Sequence, residues 1–534
     1  MMQQKLGISL WTNKREKMDK ESKDLINHKI KTVKDLTKLL KKERKNNKVI
    51  MCHGTFDIVH PGHIRHLLFA KNKADILVVS LTADKHITKG NMRPFIPEEM
   101  RAFNLAALEV VDFVLIDQNE TPIQNLKVLK PDYFAKGYEY GKNEIIQKTE
   151  EEIETLKNYG GEIIFTPGDI VYSSSKIITE KRPVIHLEKM LSIMEAEKVS
   201  FSCLRDALDK IKGLKAHVVG DTIVDSYTTC SMIGGMTKTP TMSVKYENKQ
   251  DFLGGAGIVA KHLEAAGADV TFTTLLGEDE LGDFVAKSLK KSKIKFKPII
   301  DPNRPTTNKN AVVVNDYRLL KIDKLDNTAI SGSILNNVKN NIESVETDLV
   351  MFSDFRHGIF NKSTIPILTK SIPKNTFKAA DSQVASRWGN ILEFYGFNLI
   401  TPNEREARFS TGDQDSVIRP LAQEIMERSK CKTLILKCGE SGLITYRSSN
   451  KTNPRAFFNL DSMVENLIDP VGAGDALLAY SSLVLKATNN ELIASIIGNI
   501  AAGLECEKDG NWPISSNLII EKIDYLEKQS RYSS

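Results

Sequence analysis

The stretch that decides the fold of the first part of this chain is residues 53–63, H-G-T-F-D-I-V-H-P-G-H. The apolar run at residues 48–52 before it has strand character. Pro61 suits the first turn of a helix, where the missing N–H has no partner to lose. Because a helix N-terminus offers unpaired N–H groups and the positive end of a dipole, the stretch predicts a strand, a tight turn and a helix that can hold a phosphate.

Two imidazoles, His60 and His63, fall at this predicted corner, where they can donate hydrogen bonds to a phosphate during transfer. One alternative is a capped helix with two surface histidines, and another is a metal-binding pair. A metal site needs further ligands in place. Phosphate handling is therefore the favoured role of the two histidines.

The stretch resembles the H-x-G-H nucleotidyltransferases, a family of cytidylyl- and adenylyltransferases that act on small phosphorylated alcohols and sugars. The resemblance implies that His60 and His63 are the catalytic histidines of the motif. It also implies that the lead-in residues bind the nucleotide, namely Gly54, Thr55, Phe56 and Asp57.

Strands alternate with helices after this corner. Residues 75–80 and 110–116 have the pattern of buried strands, and residues 97–108 have that of a helix. This alternation predicts a doubly wound, mostly parallel sheet. Ligands of such sheets bind beyond the carboxyl ends of the strands, which is where residues 53–63 fall.

Three further segments resemble the sugar-phosphate branch of the same family. Lys89 and Arg93 match its K-G-x-x-R-P element, whose cations neutralise the triphosphate and the leaving pyrophosphate. Lys136 follows a strand-like run and is expected to bind the substrate. The hydroxyl-rich turn that binds phosphate before the last helix is matched by Ser173, Ser174 and Ser175.

A second α/β pattern begins after residue 200, and its most informative stretch is residues 469–475, D-P-V-G-A-G-D. Small residues that open a helix leave backbone amides available to an anion, and a carboxylate beside them can take a proton from a hydroxyl. The stretch resembles the D-T-x-G-A-G-D signature of ribokinase-like sugar kinases, with Pro470 in place of Thr. The resemblance implies that Asp475 is the catalytic base and that Gly472, Ala473 and Gly474 hold the phosphoryl group.

The other elements of these kinases follow in the family's order. The resemblance assigns sugar binding to Asp221, Asp225, Gly254, Gly255, Arg304 and Lys309, and nucleotide binding to Asn403, Glu406, Gly439 and Gly442. Glu406 is expected to act on magnesium indirectly. The family also implies a small β lid over the sugar, at residues 227–251, which often pairs with a second subunit.

The pairing of the two domain types resembles the bifunctional heptose kinase/adenylyltransferases of ADP-heptose synthesis, over roughly residues 30 to 520. Three departures stand out. The nucleotidyltransferase comes first here, Ile258 replaces the asparagine of G-G-A-x-N, and His357 replaces the lysine of S-D-Y-x-K-G. Loss of an amide and of a fixed cation implies either a different sugar or a weakened kinase.

Length and composition bound the alternatives. A chain of 534 residues exceeds one core. We expect an extension at residues 1–27, a Rossmann-like nucleotidyltransferase domain at 28–180, a linker at 181–200 and a ribokinase-like domain at 201–534. A net charge of +6 gives little reason to expect nucleic acid, and six dispersed cysteines indicate reduced thiols. No apolar run has membrane-spanning length, so a cytoplasmic protein is expected.

The predicted function is synthesis of a nucleotide-activated sugar, with magnesium in both halves and ATP as a substrate. The kinase would phosphorylate D-glycero-D-manno-heptose 7-phosphate at C1, and the other half would adenylate the sugar 1-phosphate. One alternative is a cytidylyltransferase that makes a CDP-alcohol or CDP-sugar, and another is a C-terminal half that acts only as a scaffold. A monovalent cation at the kinase site is left open. A homodimer formed through the lid is the expected assembly.

Overall fold

The computed structural model describes residues 26–44, 47–87, 93–137, 147–166, 186–234, 242–315, 317–383, 389–448, 456–508 and 510–533. Two compact units meet in the sequence between Ala196 and Glu197. Both have a mostly parallel sheet with helices between the strands, which confirms the predicted α/β class.

The first unit contains a five-stranded parallel sheet in the order β3-β2-β1-β4-β5. Its strands are β1 Val49–Gly54, β2 Ile76–Thr82, β3 Phe113–Asp117, β4 Tyr133–Gly137 and β5 Glu162–Thr166. Its helices are α1 Val33–Glu43, α2 Pro61–Lys71, α3 Glu98–Ala106, α4 Ile123–Leu129, α5 Gln147–Lys157 and α6 His186–Ala196. The helix α6 lies within the predicted linker.

The central strand β1 is buried on both faces because successive side chains of a strand point to opposite sides. Ile50 and Cys52 belong to one hydrophobic cluster, and Val49 and Met51 belong to another. Strands covered on both faces are continuous apolar runs, as the sequence shows here. This burial fixes the corner between β1 and α2 at the carboxyl edge of the sheet.

Element boundaries differ from the sequence-based expectation by a few residues. The strand expected at residues 110–116 begins at Phe113, because the chain first makes a turn in which the N–H of Val111 donates to the carbonyl of Leu108, at 3.1 Å. Val111 is fully buried in the core although it lies outside the strand. Its apolar side chain therefore extends the strand-like pattern beyond the strand itself.

The second unit contains a nine-stranded sheet in the order β10-β9-β6-β13-β14-β15-β16-β17-β18. Its strands are β6 Lys215–Gly220, β9 Asp269–Leu276, β10 Lys295–Ile300, β13 Leu349–Asp354, β14 Phe377–Ser382, β15 Leu399–Ile400, β16 Thr433–Lys437, β17 Leu443–Arg447 and β18 Phe457–Leu460. The pairs from β10 through β16 are parallel, and β17 and β18 are antiparallel.

The helices of the second unit are α7 Phe201–Lys210, α8 Ala256–Ala265, α9 Glu280–Lys290, α10 Gly332–Ser344, α11 Thr364–Lys370, α12 Glu404–Thr411, α13 Ile418–Ser429, α14 Ala473–Thr488, α15 Glu491–Cys506 and α16 Ser516–Ser533. Among the helices that the structure describes, none combines the length and the apolarity that crossing a membrane requires.

A separate four-stranded sheet, which we call the lid sheet, has the order β12-β11-β7-β8. Its strands are β7 Thr222–Gly234, β8 Ser243–Gly255, β11 Asn308–Val314 and β12 Tyr317–Lys324. The expected lid segment thus forms strands β7 and β8, which pair in antiparallel register from Thr222 opposite Gly255. The lid sheet begins directly beyond β6, so its base borders the carboxyl edge of the main sheet.

Candidate active sites

In the first unit, His60 is the N-cap of α2, and its Nδ1 accepts a hydrogen bond from the N–H of Gly62, at 3.1 Å. Because Nδ1 accepts this bond, the other ring nitrogen, Nε2, is the one that can donate to a ligand. The rings of His60 and His63 stack with their centroids 3.9 Å apart. The structure therefore brings both predicted histidines together at the helix N-terminus, where a phosphate is favoured.

The histidines of α2 are neutral at pH 7. The pKa of His63 is lowered to about 4, mainly by burial and also by the neighbouring His60 and His66. His66 is an imidazole that the sequence argument overlooked, although it lies one turn after His63, and its Nδ1 is 3.0 Å from Thr166 Oγ1. Within the described part of the chain, no three His, Cys, Asp or Glu side chains are grouped to hold a metal ion.

The lead-in residues are held by the backbone around them. Both carboxylate oxygens of Asp57 accept N–H bonds, from Phe95 at 3.0 Å and from Ile96 at 2.8 Å. Arg101 is fully buried and donates to the carbonyls of Thr55 and Ile96. The Asp57 carboxylate thus orders the loop before α3, and its role in nucleotide binding stays a prediction. Sequence reasoning missed Arg101, which anchors the same turn.

A polar cluster lies at the carboxyl ends of the neighbouring strands. His53, in β1, has Nδ1 3.0 Å from Ser80 Oγ and Nε2 3.2 Å from Thr82 Oγ1. Burial lowers the pKa of His53 to about 4, although Asp117 opposes the shift. Lys136, at the end of β4, pairs with Glu152. These side chains line the edge where ligands of a parallel sheet bind.

Some predicted residues of the first unit cannot be placed. Lys89 and Ser173, Ser174 and Ser175 lie outside the described residues. Arg93 is described and begins the segment that leads into α3. Their predicted roles stay predictions.

In the second unit, Gly472 is the N-cap of α14 and has a φ of +87°, a conformation that suits glycine. A Cβ on Gly472 would lie 2.8 Å from Glu505 Oε1 and 3.0 Å from Asn511 Oδ1. Both the backbone conformation and the packing therefore require glycine at this position. The turn places Ala473, Gly474 and Asp475 at the N-terminus of a long helix, as the sequence predicts.

The predicted base, Asp475, is only 8% exposed and lies among other charged groups. Burial raises its pKa well above the usual aspartate range, and Asp381 raises it further while Lys437 lowers it. A carboxylate with a raised pKa is a stronger proton acceptor. The environment of Asp475 therefore suits a general base.

Lys437 and Asp381 join this site from two different strands. Lys437 Nζ, at the end of β16, is 2.9 Å from Asp381 Oδ2, in β14. Sequence reasoning missed both residues. The only signal is a single lysine at the end of the apolar run L-I-L-K, which is also typical of a solvent-exposed strand end.

Asn403 and Glu406 form a capping box at the start of α12. The N–H of Asn403 donates to Glu406 Oε2 at 2.7 Å, and the N–H of Glu406 donates to Asn403 Oδ1 at 2.9 Å. Burial raises the pKa of Glu406 to about 7. Asp381 Oδ1 is buried and accepts no hydrogen bond from the described residues. Magnesium binds one or two carboxylates together with substrate phosphates, so Asp381 and Glu406 fit that ion.

The predicted sugar-binding acids lie at the base of the lid sheet. Asp221 Oδ2 accepts N–H bonds from Phe355 at 3.0 Å and from His357 at 3.1 Å. Asp225 Oδ2 accepts a hydrogen bond from Asn511 Nδ2 at 3.0 Å, and a Cβ on Gly254 would lie only 2.1 Å from the same oxygen. Gly254 is therefore needed so that the Asp225 carboxylate can lie against the backbone of β8, and a Cβ on Gly255 would instead lie 2.5 Å from the carbonyl oxygen of Asp221.

Lys309 and Arg304 differ in how far their charged groups are available to bind the sugar. Lys309 lies opposite Asp225 in the register of β11 and β7, and burial lowers the pKa of its ammonium group although Asp225 opposes the shift. The guanidinium of Arg304 donates to Asp301 at 3.0 Å and to the carbonyl of Thr328 at 3.2 Å. Arg304 thus organises its own loop. Its predicted contact with the sugar would use the remaining N–H groups of the guanidinium.

The two departures from the heptose kinases have structural explanations. Ile258 is 1% exposed within α8 and belongs to the core. His357 Nδ1 is 2.8 Å from Asn327 Oδ1, and the pKa of His357 is lowered to about 4, mainly by burial and also by Lys309. Position 357 therefore carries no cation at neutral pH. On the other side of the site, Asn511 contributes an amide beside Asp225.

The predicted nucleotide-side turn joins β16 to β17. Gly439 and Gly442 have φ values of +57° and +86°. A Cβ on Gly442 would lie 2.1 Å from the carbonyl oxygen of Leu460. The turn is therefore shaped for glycine at the carboxyl end of β16, next to Lys437.

Glu505→Gln is expected to stabilise the protein at pH 8. Burial raises the pKa of Glu505 to about 7. A carboxyl group with a raised pKa stabilises the folded state fully below its unfolded pKa of about 4.3, and this contribution is lost as the pH rises through about 7. The free energies of unfolding of wild type and variant, measured with denaturant, should differ by roughly 3 to 4 kcal/mol at pH 8 and converge toward pH 5. Parallel pH profiles would contradict this, and Glu507→Gln is the control.

Both parts of the chain are similar to known protein families. Residues 213–510 match the pfkB family of carbohydrate kinases, and residues 51–180 match the cytidylyltransferase-like family. The chain is 25% identical to the bifunctional protein HldE of Trichlorobacter lovleyi over 323 residues, which are 59% of this chain and 64% of that protein. It is 26% identical to the bifunctional protein HldE of Helicobacter hepaticus over 322 residues, or 58% of this chain and 64% of that protein.

The chain thus spans somewhat less than two thirds of the length of these curated relatives. Among solved structures, the tetrameric inhibited form of phosphofructokinase-2 from Escherichia coli is similar over 59% of this chain and 99% of that chain, with 16% identity and a TM-score of 0.49. The order of the two matched regions confirms the prediction that the nucleotidyltransferase-like domain precedes the kinase domain.

Proposed function

Because the chain belongs to the pfkB family of carbohydrate kinases and carries a cytidylyltransferase-like region ahead of the kinase, we propose that it is a bifunctional enzyme of nucleotide-sugar synthesis. The kinase domain, at residues 201–534, phosphorylates D-glycero-D-manno-heptose 7-phosphate at C1. The nucleotidyltransferase domain, at residues 28–180, transfers an adenylyl group from ATP to the sugar 1-phosphate, giving ADP-heptose and pyrophosphate. The observation that carries the proposal is a helix N-terminus with predicted catalytic side chains in each unit: the stacked His60 and His63, and Asp475 at the Gly472 turn.

In the kinase step, the C1 hydroxyl of the sugar attacks the γ-phosphorus of ATP. Asp475 takes the hydroxyl proton, the new O–P bond forms, and the bond to ADP breaks. Backbone amides of Gly472, Ala473 and Gly474 hold the transferring group. Asp381 and Glu406 would hold magnesium, which when bound neutralises charge on the phosphate oxygens.

The sugar lies under the lid sheet in this proposal. Asp221 and Asp225 bind its hydroxyls, and Gly254 and Gly255 let the backbone approach it. Asp221 also fixes the loop that carries His357, through two N–H bonds of 3.0 and 3.1 Å. Lys309 faces the sugar site from β11 and supplies a donor to the sugar or its phosphate.

In the nucleotidyl step, a phosphate oxygen of the sugar 1-phosphate attacks the α-phosphorus of ATP. The bond between the α-phosphorus and the bridging oxygen to the β-phosphorus breaks, and pyrophosphate leaves. His60 and His63 donate hydrogen bonds to the phosphate oxygens as charge develops on them. We assign neutralisation of the pyrophosphate to Lys89 and Arg93, phosphate binding to Ser173, Ser174 and Ser175, and substrate binding to Lys136.

A second candidate function is transfer of a cytidylyl group. The match of residues 51–180 to the cytidylyltransferase-like family and the lead-in H-G-T-F-D favour it. A further candidate is a C-terminal unit that binds a sugar without phosphorylating it. The buried Ile258 and the neutral His357 favour this reading, whereas Asp475 at the intact turn opposes it.

The proposal is tested by two assays on the full-length protein. Release of pyrophosphate from ATP and from CTP is measured against a panel of sugar 1-phosphates, and release of ADP is measured against heptose and hexose phosphates. The proposal expects ATP and heptose phosphates to give the highest rates. Faster pyrophosphate release from CTP selects the second candidate. Absence of ADP release with every sugar phosphate, beside normal pyrophosphate release, selects the non-catalytic C-terminal unit.

We propose that the assembly is a homodimer formed through the lid sheet. Strand β12 is an edge strand whose apolar residues Tyr317, Leu320 and Ile322 are 71%, 56% and 51% exposed. Such an edge invites pairing with a second copy. Light scattering at micromolar protein should give the dimer mass, and Leu320→Asp with Ile322→Asp should give the monomer mass. The control is Tyr395→Asp, at another exposed residue. A wild-type protein of monomer mass would contradict the proposal.

A further inference from the structure

Lys437 occupies a position at the kinase site that its pairing with Asp381 alone does not explain. Its Nζ lies 2.9 Å from Asp381 Oδ2 on one side. On the other side it lies 3.2 Å from the point that a Cβ on Gly474 would occupy. The ammonium group therefore lies between a carboxylate and the first turn of α14, the turn that carries the anion-binding amides.

Two features around Lys437, a buried carboxylate oxygen and a helix N-terminus, favour a bound ligand at this place. The neighbouring carboxylates of Asp381, Glu406 and Asp475 converge on this end of the sheet and act electrostatically on Lys437. Asp381 Oδ1 is buried and accepts no hydrogen bond from the described residues. A buried carboxylate oxygen without a donor is costly unless a ligand completes it. The N-terminus of α14, a 16-residue helix, favours an anion at the same place.

The other described cations around the kinase site serve different contacts. Lys309 lies opposite Asp225, on the sugar side. Arg356 pairs with Asp354 and Glu393, each at 2.8 Å. Position 357, where the heptose kinases carry a lysine, holds a histidine that is bonded to Asn327. Of these cations, Lys437 is the one whose ammonium nitrogen lies 3.2 Å from the point that a Cβ on Gly474 would occupy, one residue before Asp475.

We propose that the ammonium group of Lys437 contacts the transferring γ-phosphoryl group of ATP and stabilises the charge on it during transfer. This inference rests on the proposed kinase function. In the step itself, the bond from the C1 oxygen to the γ-phosphorus forms, the bond from the γ-phosphorus to ADP breaks, and the hydroxyl proton goes to Asp475. Lys437 keeps its proton throughout and acts only through charge and hydrogen bonding.

Glycine at position 474 is part of the same arrangement. A Cβ there would lie 3.2 Å from the ammonium nitrogen and would fill the approach between Lys437 and the helix turn. Gly474 thus keeps open the space in which a phosphoryl oxygen can meet both the backbone amides and the ammonium group.

The test compares Lys437→Met with Lys432→Met, a control at an exposed lysine just before β16. Calorimetry measures binding of the magnesium complexes of AMP-PNP and ADP, and thermal unfolding checks that both variants are folded. The nucleotidyltransferase site is the same in all variants, so differences between variants arise at the kinase site.

We expect Lys437→Met to weaken AMP-PNP binding at least tenfold and ADP binding less than threefold, because only AMP-PNP carries a γ-phosphoryl group. Turnover should fall about 10²- to 10³-fold, and Lys437→Arg should retain part of it.

The possible results distinguish the contact of Lys437 with the γ-phosphoryl group from the proposed kinase function. Equal weakening of AMP-PNP and ADP, or a lower unfolding temperature with general loss of binding, assigns Lys437 a structural role and overturns the inference. Unchanged AMP-PNP binding overturns it as well. If the wild-type protein phosphorylates no sugar phosphate but Lys437→Met loses AMP-PNP selectively, the contact with the γ-phosphoryl group is supported and the proposed kinase function fails.

Discussion

His63→Ala is expected to slow pyrophosphate release by about 10²- to 10³-fold and to leave sugar phosphorylation unchanged. His63 stacks on His60 at the N-terminus of α2, with 3.9 Å between the ring centroids. Its ring is neutral, because burial lowers its pKa to about 4. It therefore acts as a hydrogen-bond donor to the developing charge, and loss of one such donor has an effect of this size. The kinase residues belong to the other compact unit, so ADP release should persist.

The assay for His63→Ala is initial-rate pyrophosphate release at saturating nucleotide. His86→Ala is the matched control, because His86 lies in the same unit and its Nε2 is 2.9 Å from the carbonyl oxygen of Gln118, outside the corner. The control should stay within threefold of wild type. If His63→Ala also retains a rate within threefold of wild type, the assignment of phosphate handling to this histidine is wrong. A capped helix with surface histidines is then the better interpretation.

Asp475→Asn is expected to reduce ADP release with the sugar phosphate by about 10³-fold without unfolding the protein. The amide has the shape of the carboxylate but cannot accept the hydroxyl proton, and general bases contribute about 10²- to 10⁴-fold. Folding should tolerate the change, since burial already raises the pKa of Asp475 and so disfavours its charged form. Single-turnover kinetics separate the chemical step from binding, and the KM for the sugar phosphate should change little.

The pH dependence of the kinase gives a second readout for Asp475. The base must be deprotonated to accept the proton, and its pKa is raised by burial and by Asp381. Kinase turnover should therefore fall as the pH decreases through this raised pKa, at a higher pH than an ordinary aspartate near 4 would require. Asp524→Asn, at an exposed carboxylate that pairs with Arg205, is the control. A variant that retains turnover, or an acid limb at the ordinary aspartate pKa, would contradict the assignment.

Local sequence determined the corners at which both sites are built. The string at residues 53–63 determines a strand end, a turn and a helix start, because Pro61 and the flanking apolar run act over a few residues. The string at residues 469–475 does the same, because Gly472 permits the positive φ that opens α14. The repeated alternation of strand and helix then determined the α/β class, since parallel strands need helical crossovers.

Only the tertiary structure decided which side chains complete these corners. Lys437 and Asp381 are 56 residues apart, yet their strands end at the same edge of one sheet and their side chains pair. Asn511 reaches Asp225 from 286 residues away, and its amide oxygen lies where a side chain on Gly472 would be. The order of strands in a sheet is set by global packing of the core, which leaves no trace in the few residues around each of these side chains. Local sequence therefore determined the backbone conformation at each site. Strand order and core packing determined which charged and polar side chains lie around that backbone.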